Sequence, residues 1–232
     1  MLSAVEGLLG VRSRKGPADL RFEDATADSR AVAPGTLFAA IPGSAVDGHR
    51  FLPQALAAGA PVVLLARWPE AWPEGVVGLQ VDDPRRALAL VSRELRGLPD
   101  LAMRTFAVTG TNGKTSTVAI LASILRAAGL RAGTIGTTGI AWEGLGGPAE
   151  RPATHTTPVG PALYEALAMM RDDGVQAVAL ELSSHALHQG RTFGLALDAA
   201  GWSNLGRDHL DYHGDLGSYE AAKALILTEQ LG

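Results

Sequence analysis

The run Val-Thr-Gly-Thr-Asn-Gly-Lys-Thr at Val108 to Thr115 constrains this chain more than any other stretch. Arg104 to Val108 before it mixes β-branched and aromatic residues as a buried strand does. Ser116 to Ala128 after it repeats apolar residues at helical spacing, so the run reads as strand, glycine turn and helix start. Such a turn lets backbone N–H groups converge on an anion at the positive end of a helix. Lys114 adds a mobile ammonium and Thr115 a hydroxyl suited to a magnesium ion. The stretch is expected to hold the phosphates of a nucleoside triphosphate. Val108 stands where the general pattern has its first glycine, so the loop is a shortened variant that begins at Gly110.

A strand feeding such a loop implies an α/β architecture, and the flanking sequence agrees. Thr36 to Ile41, Pro61 to Ala66 and Val76 to Val81 read as strands. Arg50 to Ala58 reads as a helix with Phe51, Leu52, Ala55 and Leu56 on one side, and Pro84 starts a helix that Gly97 stops. Beyond a junction at Gly97 to Met103, the strands are Arg104 to Val108, Arg131 to Thr137, Gln176 to Leu182 and Asp198 to Ser203. Helices fall at Ala162 to Met170 and Ser218 to Gln230, and Trp142 to Pro158 reads as a long glycine- and proline-rich connection. Strands alternating with helices predict a mostly parallel sheet covered on both faces. The expected organisation is a small α/β domain over 1–97 and a phosphate-loop domain over 98–232 with an incomplete sheet. An apolar fraction of 47% in 232 residues can fill two cores.

Ligands of parallel sheets sit beyond the carboxyl ends of the strands. Thr109 to Thr115, Glu181 to His185 and Asn204 to His213 all fall there, at one rim. Glu181 ends an apolar strand, where a carboxylate is costly unless it is paired or bound to metal. A metal-ligand or water-positioning role is favoured over a salt bridge. Ser183, Ser184 and His185 alone could be helix caps, and Asp208 or Asp211 could cap a helix too. Beside a phosphate loop, His209 becomes a candidate magnesium-shell or phosphate ligand. A Ser-His-Asp hydrolase is disfavoured because no Gly-x-Ser-x-Gly turn surrounds the serines. Lys15, Lys114 and Lys223 are the only lysines, while arginine supplies the remaining basic charge. Lys223 lies in a helical run where pairing with Glu220 would be the default.

Absences narrow the function further. The chain has no cysteine, which removes disulfides and thiolate chemistry and fits a cytoplasmic location. A net charge of -4 gives no field to attract nucleic acid or an anionic membrane. Met1 to Gly10 has neither the basic start nor the cleavage signal of a leader, and no stretch is apolar for long enough to insert in a membrane.

Taken together, these segments resemble the Mur ligase family. The matching stretches are Asp28-Ser-Arg30, Pro34 to Phe38, Asp47-Gly-His49, Thr109 to Thr115 and Thr156-Thr-Pro158. They continue through Glu181 to Leu187 with Gln189 and Arg191, Asn204 to Gly214, and Tyr219 to Lys223. They span nearly the whole chain in family order, and folylpolyglutamate synthetases share only the phosphate loop. The resemblance implies an ATP-dependent ligase adding a free amino acid to UDP-MurNAc-L-Ala-D-Glu through an acyl phosphate, in peptidoglycan synthesis. It implies ATP at Gly110, Thr111, Asn112, Gly113, Lys114, Thr115 and Ser116. Mg²⁺ would lie at Thr115, Glu181, His209 and a carbamylated Lys223. Catalysis would fall to Lys114, Glu181, His209 and Lys223. The UDP end would lie at Ser29, Ser44, Ala45 and Val46, and the muramoyl peptide at Thr156, Thr157, Ser183, Gln189 and Arg191. Two positions depart from the pattern: His155 stands where relatives often carry asparagine, and Val159 where an acidic residue is frequent. Family members are also longer, so the chain is expected to be a fragment able to bind the UDP substrate but deficient in ligation. A non-catalytic binding fragment and another phosphate-loop NTPase or kinase are the alternatives.

Overall fold

The computed structural model describes residues 2–18, 20–43 and 46–231. It divides into two compact units, Met1–Leu95 and Arg96–Gly232.

The first unit runs α1 (Leu2–Glu6), β1 (Ser13–Lys15), β2 (Asp24–Thr26), β3 (Thr36–Ala40), α2 (Leu52–Ala57), β4 (Val62–Leu65), β5 (Val77–Gln80) and α3 (Pro84–Leu95). Its sheet has the order β1-β5-β4-β3-β2, parallel except for β1, which runs antiparallel to β5. Both faces are buried, so the period of two along a strand divides the core in two. Leu37, Ala39, Val62 and Leu64 join α1 and α3 on one face. Phe38, Ala40, Val63 and Leu65 meet Leu52 and Ala55 of α2 on the other. The sequence reading missed the short strands β1 and β2. It also placed Phe51 on the buried side of a single helix. The structure instead has a 3-10 turn over Gly48–Phe51 ahead of α2, and that change of phase leaves Phe51 39% exposed.

The second unit runs β6 (Arg104–Thr109), α4 (Lys114–Ala127), β7 (Ala132–Gly136), β8 (Gly139–Gly144), β9 (Gly147–Arg151), α5 (Gly160–Asp172), β10 (Ala177–Glu181), α6 (Ser184–His188), β11 (Ala199–Trp202), α7 (Leu210–His213) and α8 (Leu216–Thr228). Its sheet order is β11-β6-β10-β7-β8-β9, with the first four strands parallel and the last two antiparallel. Val118 and Leu125 of α4 pack on Val108, Ala179, Ala132 and Ala177. Met170 of α5 lies against Gly133 on the opposite face.

The expected long connection after Trp142 is therefore corrected. Much of it is a β-hairpin whose alternation is masked by glycine and proline. Asp173 holds that hairpin, accepting from Trp142 Nε1 at 2.8 Å and from the Gly146 amide at 2.9 Å. The crossover from β6 leads towards β7, whereas β10 leads across β6 to β11. The crossovers that leave β6 and β10 lead to opposite sides, which puts a topological switch point, and with it a ligand crevice, at their carboxyl ends. Among the described residues no helix is long and apolar enough to cross a membrane.

Candidate functional site

The loop after β6 is shaped by its glycines. Gly110 has φ +144°, and an added Cβ would collide with Ser203 Oγ. Gly113 has φ +82° and precedes α4 without any side-chain cap, so the first N–H groups of a 14-residue helix remain available to an anion. The segment after β11 clamps the loop from the side. Thr111 N donates to Asn204 O at 3.1 Å, Asn112 N to Asn204 Oδ1 at 3.1 Å, and Ser203 Oγ to Asn112 O at 2.7 Å. Lys114 Nζ folds back on the carbonyls of Gly110 (2.8 Å) and Thr111 (2.9 Å), and Ser116 is exposed in the first turn of α4.

Glu181 is 1% exposed at the end of β10 and gathers three donors. Its Oε1 accepts from Thr137 N at 3.0 Å, and its Oε2 from Thr115 Oγ1 at 2.9 Å and Thr137 Oγ1 at 3.2 Å. A Cβ on Gly136 would strike that carboxylate, which is why a glycine ends β7. Thr137 offers both its amide and its hydroxyl to this carboxylate, and the sequence reading gave it no role. Its signal was its place at the carboxyl end of a parallel strand, the same rim as the other clusters. From Glu181 the network continues: its carbonyl accepts from Thr157 Oγ1 at 2.8 Å, and Thr157 Oγ1 accepts from Ser183 N at 3.0 Å. Thr156 Oγ1 lies 3.1 Å from Thr137 Oγ1.

Lys223 is 1% exposed rather than paired at the surface with Glu220. Its Nζ donates to Gly110 O at 2.8 Å and lies 4.5 Å from the centre of the Tyr219 ring. Burial, and then the positive charge of Lys114, push its pKa down to about 8, with Asp208 opposing. Burial also lowers Lys114, and the charges of Glu181 and Asp208 oppose that shift.

His209 reaches this group less directly. It is half-exposed, in a left-handed conformation (φ +52°) at the start of α7, with Nε2 3.5 Å from Asp208 Oδ2. Its ring stands 4.6 Å from that of His185 and 6.4 Å from that of Tyr219. Gln189 and Arg191 bond to each other at 2.8 Å beyond His185. Burial, helped by His209 and Arg191, lowers the His185 pKa. His155, a departure from the family pattern, is exposed beside Thr154.

In the first unit, Ser29 is buried and donates to Gln54 Oε1 at 2.9 Å, and Val46 is 49% exposed. Ser44 and Ala45 lie outside the described residues. At the carboxyl ends of β3 and β4, His49 Nε2 accepts the amides of Ala66 (3.3 Å) and Arg67 (3.4 Å). That leaves the proton on Nδ1, which faces Asp47 Oδ1 at 2.8 Å. The His49 amide and Arg67 hold the Asp47 carboxyl well below the usual carboxylate range.

The oxygen donors present fit magnesium. It is typically held by one or two carboxylates together with waters and phosphate oxygens, not by an all-protein cage. The half-buried Thr115 hydroxyl and the buried Glu181 carboxylate, beside an uncapped helix start, supply that donor set.

Known families and solved structures match this chain over both of its units. Residues 108–231 match the model of the Mur ligase middle domain, and residues 24–96 that of the Mur ligase family catalytic domain. A UDP-N-acetylmuramoyl-L-alanyl-D-glutamate–2,6-diaminopimelate ligase of Xanthomonas oryzae pv. oryzae is 45% identical over 213 residues, covering 91% of this chain and 42% of the relative. One of the same name from Geobacillus thermodenitrificans is 44% identical over 205 residues, covering 88% and 40%. The chain thus spans less than half the length of these curated relatives. A solved structure of an enzyme of that name superposes with a TM-score of 0.73 at 33% identity, over 90% of this chain and 42% of the other. MurF from Acinetobacter baumannii, at 24% identity and a TM-score of 0.56 over 90% and 41%, shares the fold. With a middle-domain match over more than half its residues, on the unit that carries the glycine loop, Glu181 and Lys223, the chain belongs to the Mur ligase family.

Proposed function

We propose that this chain supplies the UDP-substrate and nucleotide sites of an ATP-dependent ligase that extends UDP-MurNAc-L-Ala-D-Glu by one amino acid. It would act in cytoplasmic peptidoglycan precursor synthesis. The observation that carries the reading is a pair of hydrogen-bonded sets at the switch point, Thr115 on Glu181, and Lys114 with Lys223 on the Gly110 carbonyl.

In this reading Gly110 to Ser116 cradle the triphosphate through backbone amides, and Lys114 turns from the loop carbonyls to the phosphate oxygens. Thr115 donates its proton to Glu181, and the Thr115 hydroxyl oxygen together with the remaining lone pair on Glu181 Oε1 would hold Mg²⁺. When bound, Mg²⁺ neutralises phosphate charge. Thr156, Thr157, Ser183, Gln189 and Arg191 hold the muramoyl dipeptide, Arg191 by charge-assisted bonds. Ser29, Ser44, Ala45 and Val46 take the UDP end. The D-glutamate side-chain carboxylate takes the γ-phosphoryl group, ADP leaves, the incoming amine attacks the acyl carbon, and phosphate departs as the amide forms. Lys223 forms a carbamate: its neutral amine bonds to the carbon of CO₂ and gives up a proton. Its lowered pKa favours this, since at pH 7 a group of pKa near 8 is neutral in about a tenth of molecules. The relatives' names make 2,6-diaminopimelate the first amine to try.

The test is calorimetry with UDP-MurNAc-L-Ala-D-Glu and with MgATP. Phosphate release is then measured with diaminopimelate, lysine and ornithine, on this chain and on a form extended beyond Gly232. Dipeptide binding by this chain, and release that depends on both dipeptide and one amino acid, are expected. Absence of dipeptide binding, or release that needs neither, overturns the reading.

A further inference from the structure

Tyr212 of α7 bridges the turn that bears His209 and the Gln189–Arg191 segment. On one side it is fastened to His209: its amide donates to His209 O at 3.1 Å, and the His213 amide donates to the same oxygen at 3.0 Å. Its ring lies 4.3 Å from that of His185, which in turn stands 4.6 Å from His209. On the other side its hydroxyl lies 3.1 Å from Gln189 Nε2 and 3.0 Å from His188 Nδ1.

The direction of the bonds that join Arg191, Gln189 and Tyr212 follows from one residue. Arg191 can only donate, so Gln189 must turn Oε1 towards Arg191 Nε, at 2.8 Å. The amide NH₂ of Gln189 then faces Tyr212, whose hydroxyl oxygen accepts it. Arg191 also donates to Thr157 O at 3.4 Å. Gln189 therefore has one acceptor for its NH₂ in this network, and that acceptor sits on the same turn as His209.

We propose that Tyr212 is a positioning residue, which through Gln189 fixes the aim of the Arg191 guanidinium and ties it to the turn bearing His209. The proposal rests on the functional reading above only in assigning Gln189 and Arg191 to the dipeptide. Tyr212→Phe deletes the hydroxyl and keeps the ring on His185. NMR exchange of the Arg191 Nε proton in ligand-free protein should quicken by about 3- to 10-fold in this variant, with the circular dichroism spectrum unchanged. The dissociation constant for UDP-MurNAc-L-Ala-D-Glu should rise by about the same factor. In a Gln189→Ala background, Tyr212→Phe should add no further loss, because both act through one amide. Unchanged Arg191 Nε exchange, or additive losses of dipeptide affinity, overturns the proposal. Faster exchange in a protein whose wild type binds no dipeptide supports the positioning role and defeats the functional reading instead.

Discussion

Lys114 Nζ and Lys223 Nζ both donate to the carbonyl oxygen of Gly110, each at 2.8 Å, although the second comes from a helix 113 residues further along the chain. Two ammonium groups on one acceptor repel each other, and the more deeply buried of them carries the larger consequence.

That consequence is a pH dependence with a definite sign. Lys223 is protonated in the unfolded chain up to its ordinary value of 10.5, whereas the folded group loses its proton near 8. Between these values the unfolded state binds more protons, so stability rises with pH from about 8 to 10.5, and the penalty is fully present below 8. In CO₂-free buffer, urea unfolding of wild type minus Lys223→Met should reveal a gain of about 3 kcal/mol across that window. A flat difference would show that Lys223 is not held as a desolvated cation.

The same lysine should accept labelled CO₂. With ¹³C-bicarbonate at pH 8, wild type should display a carbamate carbon resonance that Lys223→Arg lacks, since a guanidinium offers no neutral primary amine. Retention of the signal in the arginine variant would assign it to another amine.

Glu181→Gln should weaken Mg²⁺-dependent nucleotide binding by more than about 10-fold, because the amide NH₂ it introduces must face donors now satisfied by a carboxylate oxygen. Metal-free nucleotide binding should change little. Equal losses with and without Mg²⁺ would place Glu181 outside the metal's reach.

Gly110→Ala forces a side chain into φ +144° and onto Ser203. It should cost at least about 2 kcal/mol of stability and abolish nucleotide binding, while Gly113→Ala, with φ +82° but open space, should fold and bind more weakly than wild type. Nucleotide titration of the two variants alongside thermal unfolding checks the order.

Asp173 fastens the β8–β9 hairpin through Trp142 and the Gly146 amide, and these bonds hold its carboxyl below the usual range, the Gly146 amide most of all. Asp173→Ala should accelerate hydrogen exchange at Gly146 and in β9 and leave exchange in β6 and β10 unchanged. Acceleration throughout the sheet would mean that the hairpin is part of the global core.

Much of the second unit is legible from local chemistry. Gly110 and Gly113 are required by backbone angles, Val118 and Leu125 by helical period, and Glu181 by the cost of a carboxylate ending the apolar strand Val178 to Leu180. These constraints act within a few residues, so the sequence by itself determines the strand, the loop, the helix and the rim on which polar residues gather.

Tertiary structure alone decided the partners. Thr137 became a ligand of Glu181 only because β7 lies beside β10, and Lys223 came to rest on Gly110 only because α8 returns across the loop after β11. Trp142 entered a strand because it pairs with Gly133 of β7 and Ala149 of β9, and Tyr212 met Gln189 across two turns with no shared periodicity. The physical reason is common to all four. Local propensity sets the conformation of a segment, whereas the contacts between distant segments follow from strand order and crossover direction, which no short window of residues encodes.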